Sequence, residues 1–371
     1  MEENIIEKVE EKIKEVRTKS LDLSFNEILD MYINKELKIR PDYQRLFRWD
    51  EQRQSQFIES IILEMPLPPI FFVENSDGTY ELIDGLQRIS TYLKFRGQLR
   101  KVDKDNNVLP ECEVATVLSG CDVLEELNGK TFETLSPSIR MKLKRNFIRA
   151  EILLNQTDRD LRYHMFKRLN TGGIKLERQE IRNCTVRILG DKFINFIRDL
   201  SQNEDYKNTV SSMNEKDQNS MNTEECILRY FAFKNNIDNY NDSDMHKFFD
   251  DYLEDVTREK LNFDYSNEKL IFDSLFKKIN HIFGDELFKN PRINRFNKYS
   301  FEGFTLGFLP CINLIDENNE EICNLVKQAI CELKNSNEFY DIVSGSFLFK
   351  KDKVQQRISM IENTLKQVLE S

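Results

Sequence analysis

Histidine is scarce in this chain. Only His164, His246 and His281 occur among 371 residues, too few and too widely spaced for most multi-histidine metal chemistry. Cysteine is present but unorganised. Cys112, Cys121, Cys184, Cys226, Cys311, Cys323 and Cys331 form no close pair, so neither a zinc site nor a disulfide framework is suggested. An odd cysteine count without a secretory leader pattern fits a reducing cytoplasm. No apolar run approaches the roughly 20 residues of a membrane-spanning helix, so no membrane partner is expected. An overall positive charge is missing too. The formal charge of −10 argues against a surface that grips nucleic acid everywhere, although it permits a local basic region.

What the chain does hold is an ordinary soluble balance, 39% hydrophobic and 32% charged, with 27 Phe. Its length favours two or three domains. The most informative stretch runs from Ile70 to Gly97, IFFVENSDGTYELIDGLQRISTYLKFRG. Two short apolar runs, Ile70 to Val73 and Tyr80 to Ile83, flank the turn-forming Asn75, Ser76, Asp77 and Gly78, and predict a pair of strands. Immediately after Asp84 and Gly85, the spacing of Ile89, Tyr92, Leu93 and Phe95 predicts a helix over 86–96. A strand, an Asp-Gly turn and a helix start therefore follow without a gap. That geometry converges first-turn N–H groups and a partial positive charge on one point. Gln87 and Arg88 sit in that first turn, and Arg88 can meet phosphate oxygens with a planar fork of donors. A plain helix start with an Arg–carboxylate pair is the competing reading.

Upstream, residues 1–20 read as a solvated helix rich in Glu and Lys. Ser24 and Asp50 are candidate N-caps, the second for a helix whose apolar face is Phe57, Ile58, Ile61 and Ile62. Between them lies PDYQRLFRW (41–49), with the single Trp. Gln44 and Arg45, between Tyr43 and Phe47, put long hydrogen-bonding side chains where a core segment would be apolar. Residues 98–135 read as an irregular excursion and 147–154 as a strand. Thr157 with Asp160 fits a capping box on a helix carrying Leu161, Met165 and Leu169, with His164 at its rim. That helix ends in Asn170, Thr171, Gly172 and Gly173, followed by Lys175. The four residues serve either as a helix stop or as a flexible loop that lets backbone approach a ligand. From Arg140 to Arg187 there are thirteen Lys or Arg against five Asp or Glu, a local excess that marks a polyanion-facing surface. Residues 201–223 read as a polar linker, and the remainder as a series of helices. Glu224 and Glu225 with Arg229 read as a structural helix-start group.

Three motifs in order, PDYQRLFRW, DGLQRIST and FKRLNTGGIKLERQEIRN, resemble the ParB/sulfiredoxin-like N-terminal domain of GmrSD-type restriction proteins, the type IV, modification-dependent class. The resemblance covers about residues 20–200. It implies a small mixed-sheet ParB/sulfiredoxin-like domain over 20–200; with the helical patterns read over 224–371 as a mostly α-helical domain, the expected fold class is α+β. It also implies binding, and hydrolysis, of a nucleoside triphosphate with Mg2+. On that footing the catalytic candidates are Asp84, Gln87, Arg88 and Gln44, with Asp84 the metal-holding carboxylate. Tyr43, Arg45, Gly85, Asn170, Thr171, Gly172, Gly173 and Lys175 are the nucleotide-binding candidates. Full-length relatives carry a His-Asn-His nuclease domain, and no histidine follows His281 here, so that domain is expected to be absent. The expected role is a cytoplasmic NTP-handling regulator in anti-phage defence or restriction, meeting modified or phage DNA, a nuclease partner protein, or further copies of itself. A non-catalytic DNA-binding adaptor and a ParB-like DNA nickase are the alternatives.

Overall fold

The computed structural model describes residues 2–39, 47, 49–103, 107–170, 182, 186, 188–214, 222–242 and 244–370. The chain divides into two compact units, Met1–Leu176 and Glu177–Ser371.

The first unit opens with helix α1 (Glu2–Glu15) and strand β1 (Thr18–Ser24). It continues through α2 (Phe25–Ile33), β2 (Leu37–Lys38), α3 (Glu51–Ile62), β3 (Ile70–Glu74), β4 (Tyr80–Asp84) and α4 (Leu86–Phe95). A hairpin of β5 (Arg100–Val102) and β6 (Val108–Cys112) follows, then α5 (Pro137–Arg145), β7 (Phe147–Leu153) and α6 (Arg159–Asn170). The five-stranded sheet has the order β1-β7-β3-β4-β2. It is mixed, because β3 runs parallel to β7 and β2 parallel to β4 while the other pairs are antiparallel. The register places Leu23 opposite Ile148, Ile70 opposite Ala150, and Phe72 opposite Ile152. All six are buried, so alternate residues of three strands fill one face, as a half-buried sheet requires. Phe25, Phe57 and Tyr92 from α2, α3 and α4 form an aromatic group with centroid separations of 6.2 and 5.0 Å.

The solvated helix expected over 1–20 is present as α1 but stops at Glu15, and β1 takes over at Thr18, where Leu21 and Leu23 alternate with polar residues and pair with β7. Thr157 does not cap α6. Its buried hydroxyl accepts from Arg17 N at 3.1 Å and donates to Arg17 O at 2.7 Å, while Asp158 accepts from the N–H groups of Asp160 and Leu161. In the basic segment, Arg140 pairs with Glu133, Lys142 with Glu64 and Arg149 with Asp22, so nearby carboxylates offset part of the excess read from sequence.

The irregular excursion is stapled to α3 by polar residues on that helix's inner side. Gln54 accepts from the Thr116 hydroxyl at 3.1 Å, Ser55 Oγ from Ser119 N at 2.8 Å, and Glu59 from Val123 N and Leu124 N at 3.1 and 2.6 Å. Each of the three is at most 3% exposed. They are tolerated inside because their polar atoms find partners.

Among the described residues the second unit is helical: α7 (Lys192–Ser201), α8 (Glu204–Thr209), α9 (Asn222–Asn236), α10 (Met245–Thr257), α11 (Tyr265–Phe283), α12 (Lys298–Phe308), α13 (Glu320–Asn335), α14 (Asn337–Ser344) and α15 (Lys351–Leu369). Helix α8 falls in the expected linker. Tyr206, fully buried on it, packs on Phe276 and donates to Thr223 O at 2.6 Å, and Asn203 caps the helix. A charged group lies within the core. Arg229 bonds Glu302 at 2.5 Å and Glu225 at 2.8 Å, and Arg357 reaches the other oxygen of Glu302 at 3.1 Å. Glu225 and Arg229 thus have the structural role read from sequence.

Candidate active site at the β4–α4 turn

Strand β4 ends at Asp84 and α4 begins at Leu86, with Gly85 alone between them. Gly85 has φ +103°, the left-handed region. A Cβ there would lie 2.4 Å from Ile70 Cγ2, so the turn is closed to any other residue without a shift of β3. Gly85 is the N-cap and offers no side-chain acceptor. Ser24, Asp50 and Ser136, by contrast, cap α2, α3 and α5 with a side-chain oxygen. The α4 start therefore directs donors and its dipole toward the Asp84 end of the strand.

The Asp84 carboxylate is 37% exposed. Its Oδ2 accepts from Arg88 Nη2 at 3.0 Å, and its Oδ1 accepts no hydrogen bond among the described residues. Arg88 is 13% exposed and extends back over the chain entering β3. Its Nη1 donates to Pro68 O and its Nη2 to Pro69 O at 3.1 Å. The three prolines of Met65 to Pro69 hold this entry extended, and proline carbonyls remain acceptors although proline nitrogens cannot donate.

Gln87 also points to protein. Its Oε1 accepts from Trp49 N at 3.1 Å, and Gln54 Nε2 donates to Trp49 O at 2.5 Å. The Trp49 backbone is thus clamped from both sides, with its indole edge-on to Phe57 at 5.5 Å and its Nε1 buried without a partner among the described residues. Lys94 of α4 lies 5.7 Å from the Phe47 ring centroid. The end of the PDYQRLFRW motif is therefore seated on the helix that begins with Leu-Gln-Arg.

Asp84, Gly85, Gln87 and Arg88 come together in one turn. Tyr43, Gln44 and Arg45 lie outside the described residues, as do Thr171, Gly172, Gly173 and Lys175. Asn170 is the last residue of α6, a helix that approaches β4. The clamp by Gln54 was missed at the sequence level, although a glutamine beside the Phe57–Ile58 face of α3 was its available signal. The carbonyls of Pro68 and Pro69 carry no such signal, since any residue supplies a carbonyl.

Two titratable groups of the first unit are not poised for nucleophilic work. Burial pushes the Cys121 thiol up to about 11, with Glu59 and Asp122 adding to the effect, so it stays protonated. Burial likewise raises the Tyr92 phenol, against the opposing pull of Arg96, which donates to its oxygen at 2.8 Å. Among the described residues no group of three or more His, Cys, Asp or Glu could hold a metal ion. A metal here would take Asp84 as a single carboxylate, with the ligand's own oxygens completing its shell, the usual Mg2+ arrangement.

Residues 25–187 match the family model of the GmrSD restriction endonuclease, N-terminal domain. Residues 25–187 carry a GmrSD-type N-terminal domain. No curated protein matches the chain, and neither does any solved structure. The GmrSD match runs past the divide between the units, and its final residues include Arg182. That arginine is 5% exposed within the helical unit, where its Nε meets Asp250 at 2.5 Å and its Nη2 donates to His246 O at 3.1 Å. The GmrSD domain associates the chain with restriction. No helix among the described residues is long and apolar enough to cross a membrane.

Proposed function

We propose that the GmrSD-type unit binds a nucleoside triphosphate at the β4–α4 turn, hydrolyses it with Mg2+, and so acts as a nucleotide-handling regulator in restriction or anti-phage defence. The observation that carries this reading is the half-satisfied Asp84 carboxylate beside a helix start without a side-chain cap. The helix N–H groups suit a phosphate, and the Asp84 oxygen without a hydrogen bond suits Mg2+ bridging to phosphate oxygens. Hydrolysis asks chiefly for positioning and charge stabilisation. Tyr43, Gln44 and Arg45 belong to the chain that Gln87 clamps at Trp49. Asn170 ends a helix that approaches β4, and Thr171 to Gly173 with Lys175 follow it in sequence, which is compatible with a second wall around sugar and phosphates.

Calorimetric titration of the full chain with the four common NTPs, with and without Mg2+, tests the reading. Saturable binding of at least one, lost in Asp84→Asn when Mg2+ is present, is the expected result. The absence of binding by all four overturns it. A DNA-adaptor reading rests on residues 137–149, which hold five Lys or Arg and no carboxylate. The pairing of Arg140, Lys142 and Arg149 weakens it. DNA retention that falls steeply with salt in the absence of nucleotide is the result that would favour the adaptor.

A further inference from the structure

The arginine of an Asp-Gly-x-Gln-Arg turn invites assignment as a phosphate ligand, but its surroundings here describe a different task. Among the described residues its guanidinium bonds three acceptors, Asp84 Oδ2 and the carbonyls of Pro68 and Pro69. Two of these lie on the chain entering β3 and the third at the end of β4, so one side chain spans both strands at the turn. A simple ion pair would offer its whole fork to the carboxylate, taking both oxygens. Arg88 takes one oxygen, and the other accepts no hydrogen bond among the described residues. Its side chain is 13% exposed while that of Asp84 is 37% exposed. Of the two, the carboxylate is the more accessible to a ligand, and the arginine fixes its rotamer from behind.

We infer that Arg88 is a positioning residue, which aims the Asp84 carboxylate at a nucleotide-bound divalent cation and takes no phosphate itself. This rests on the nucleotide reading above and refines the chemistry of that site. A carboxylate that receives a metal works best with its second oxygen already held, because the ordering is then complete before the ion arrives. Removing such an outer partner weakens metal affinity by about 10–100-fold and leaves contacts made by other groups intact.

The test uses the full chain and its Arg88→Gln, Arg88→Lys, Asp84→Asn and Arg88→Gln/Asp84→Asn variants. Nucleotide affinity is measured by calorimetry in EDTA and across a Mg2+ series, with thermal melting as the folding control. A positioning Arg88 leaves affinity in EDTA within about threefold of wild type while raising the half-saturating Mg2+ concentration about tenfold or more. Arg88→Lys shifts the Mg2+ requirement as well, because one ammonium cannot span the three acceptors. The double variant then behaves like Asp84→Asn alone, since the two residues act as one unit. A phosphate-binding Arg88 gives the opposite pattern: EDTA affinity falls about tenfold or more in Arg88→Gln, Arg88→Lys recovers most of it, and the double variant is worse than Asp84→Asn. That pattern overturns the inference. If Arg88→Gln does not fold, Arg88→Lys decides between the roles by the same two readouts. Wild type that binds no nucleotide is a distinct result, which removes the nucleotide reading and this inference with it.

Discussion

Gly85 shows how much a single position can demand. Its left-handed backbone and the 2.4 Å approach of Ile70 to a hypothetical Cβ are independent constraints, one conformational and one steric. Gly85→Ala is expected to destabilise the first unit by about 2–4 kcal/mol, combining left-handed strain with overpacking. A lower urea midpoint with an unchanged slope would show it, and a change under about 0.5 kcal/mol would refute it. The need for glycine was legible in the Asp-Gly dipeptide between a strand and a helix pattern. The partners of Arg88 and Gln87 were not. They come from residues 68–69 and 49, and nothing in the local pattern says which distant backbone atoms a side chain will meet.

Among the elements, those with strong periodicity were read correctly: β3, β4, β7, α3, α4 and most helices of the second unit. The failures share a cause. β1, α8 and the cap of α6 are short or polar elements whose form is decided by partners elsewhere. β1 needs β7, Tyr206 of α8 needs Phe276 and the Thr223 carbonyl, and Thr157 is drawn off by Arg17. The polar row on α3 is a case where partners raise the stakes. Glu59→Ala would strand the N–H groups of Val123 and Leu124 where their acceptor was. A loss of about 2–4 kcal/mol follows from removing charge-assisted bonds to part-buried donors. Hydrogen exchange should quicken across 116–124 before it does in the sheet. Uniform exchange across the unit would instead make the excursion an integral part of the fold.

For the molecule as a whole, two units imply two stabilities. The core of the helical unit depends on Glu302, which bonds Arg229 and Arg357 at once and with Glu225 balances their charge. Glu302→Gln should cost that unit about 3–5 kcal/mol, because it leaves buried guanidinium charge uncompensated. Acid should weaken the same core. Burial raises the Glu225 carboxyl, but Arg229 and Arg182 outweigh it and hold it below its ordinary value of 4.5. A lowered folded-state pKa gives stability that is complete above that value and lost as pH falls through the folded one. Helical content of the second unit should therefore decline below about pH 4.5, the ordinary value, and an acid limb unchanged in Glu225→Gln would exclude Glu225 as its source.

The clamped Trp49 gives these comparisons a convenient handle. It is the only tryptophan in 371 residues, and it lies in the first unit. Indole emission is consequently a private channel for that unit, in which the helical unit is dark. Far-ultraviolet circular dichroism draws mostly on the nine described helices of the second unit. One denaturant series followed in both channels yields two unfolding curves from one intact chain. A ligand seated at the β4–α4 turn should displace the fluorescence curve and, where the units unfold independently, leave the dichroism curve in place.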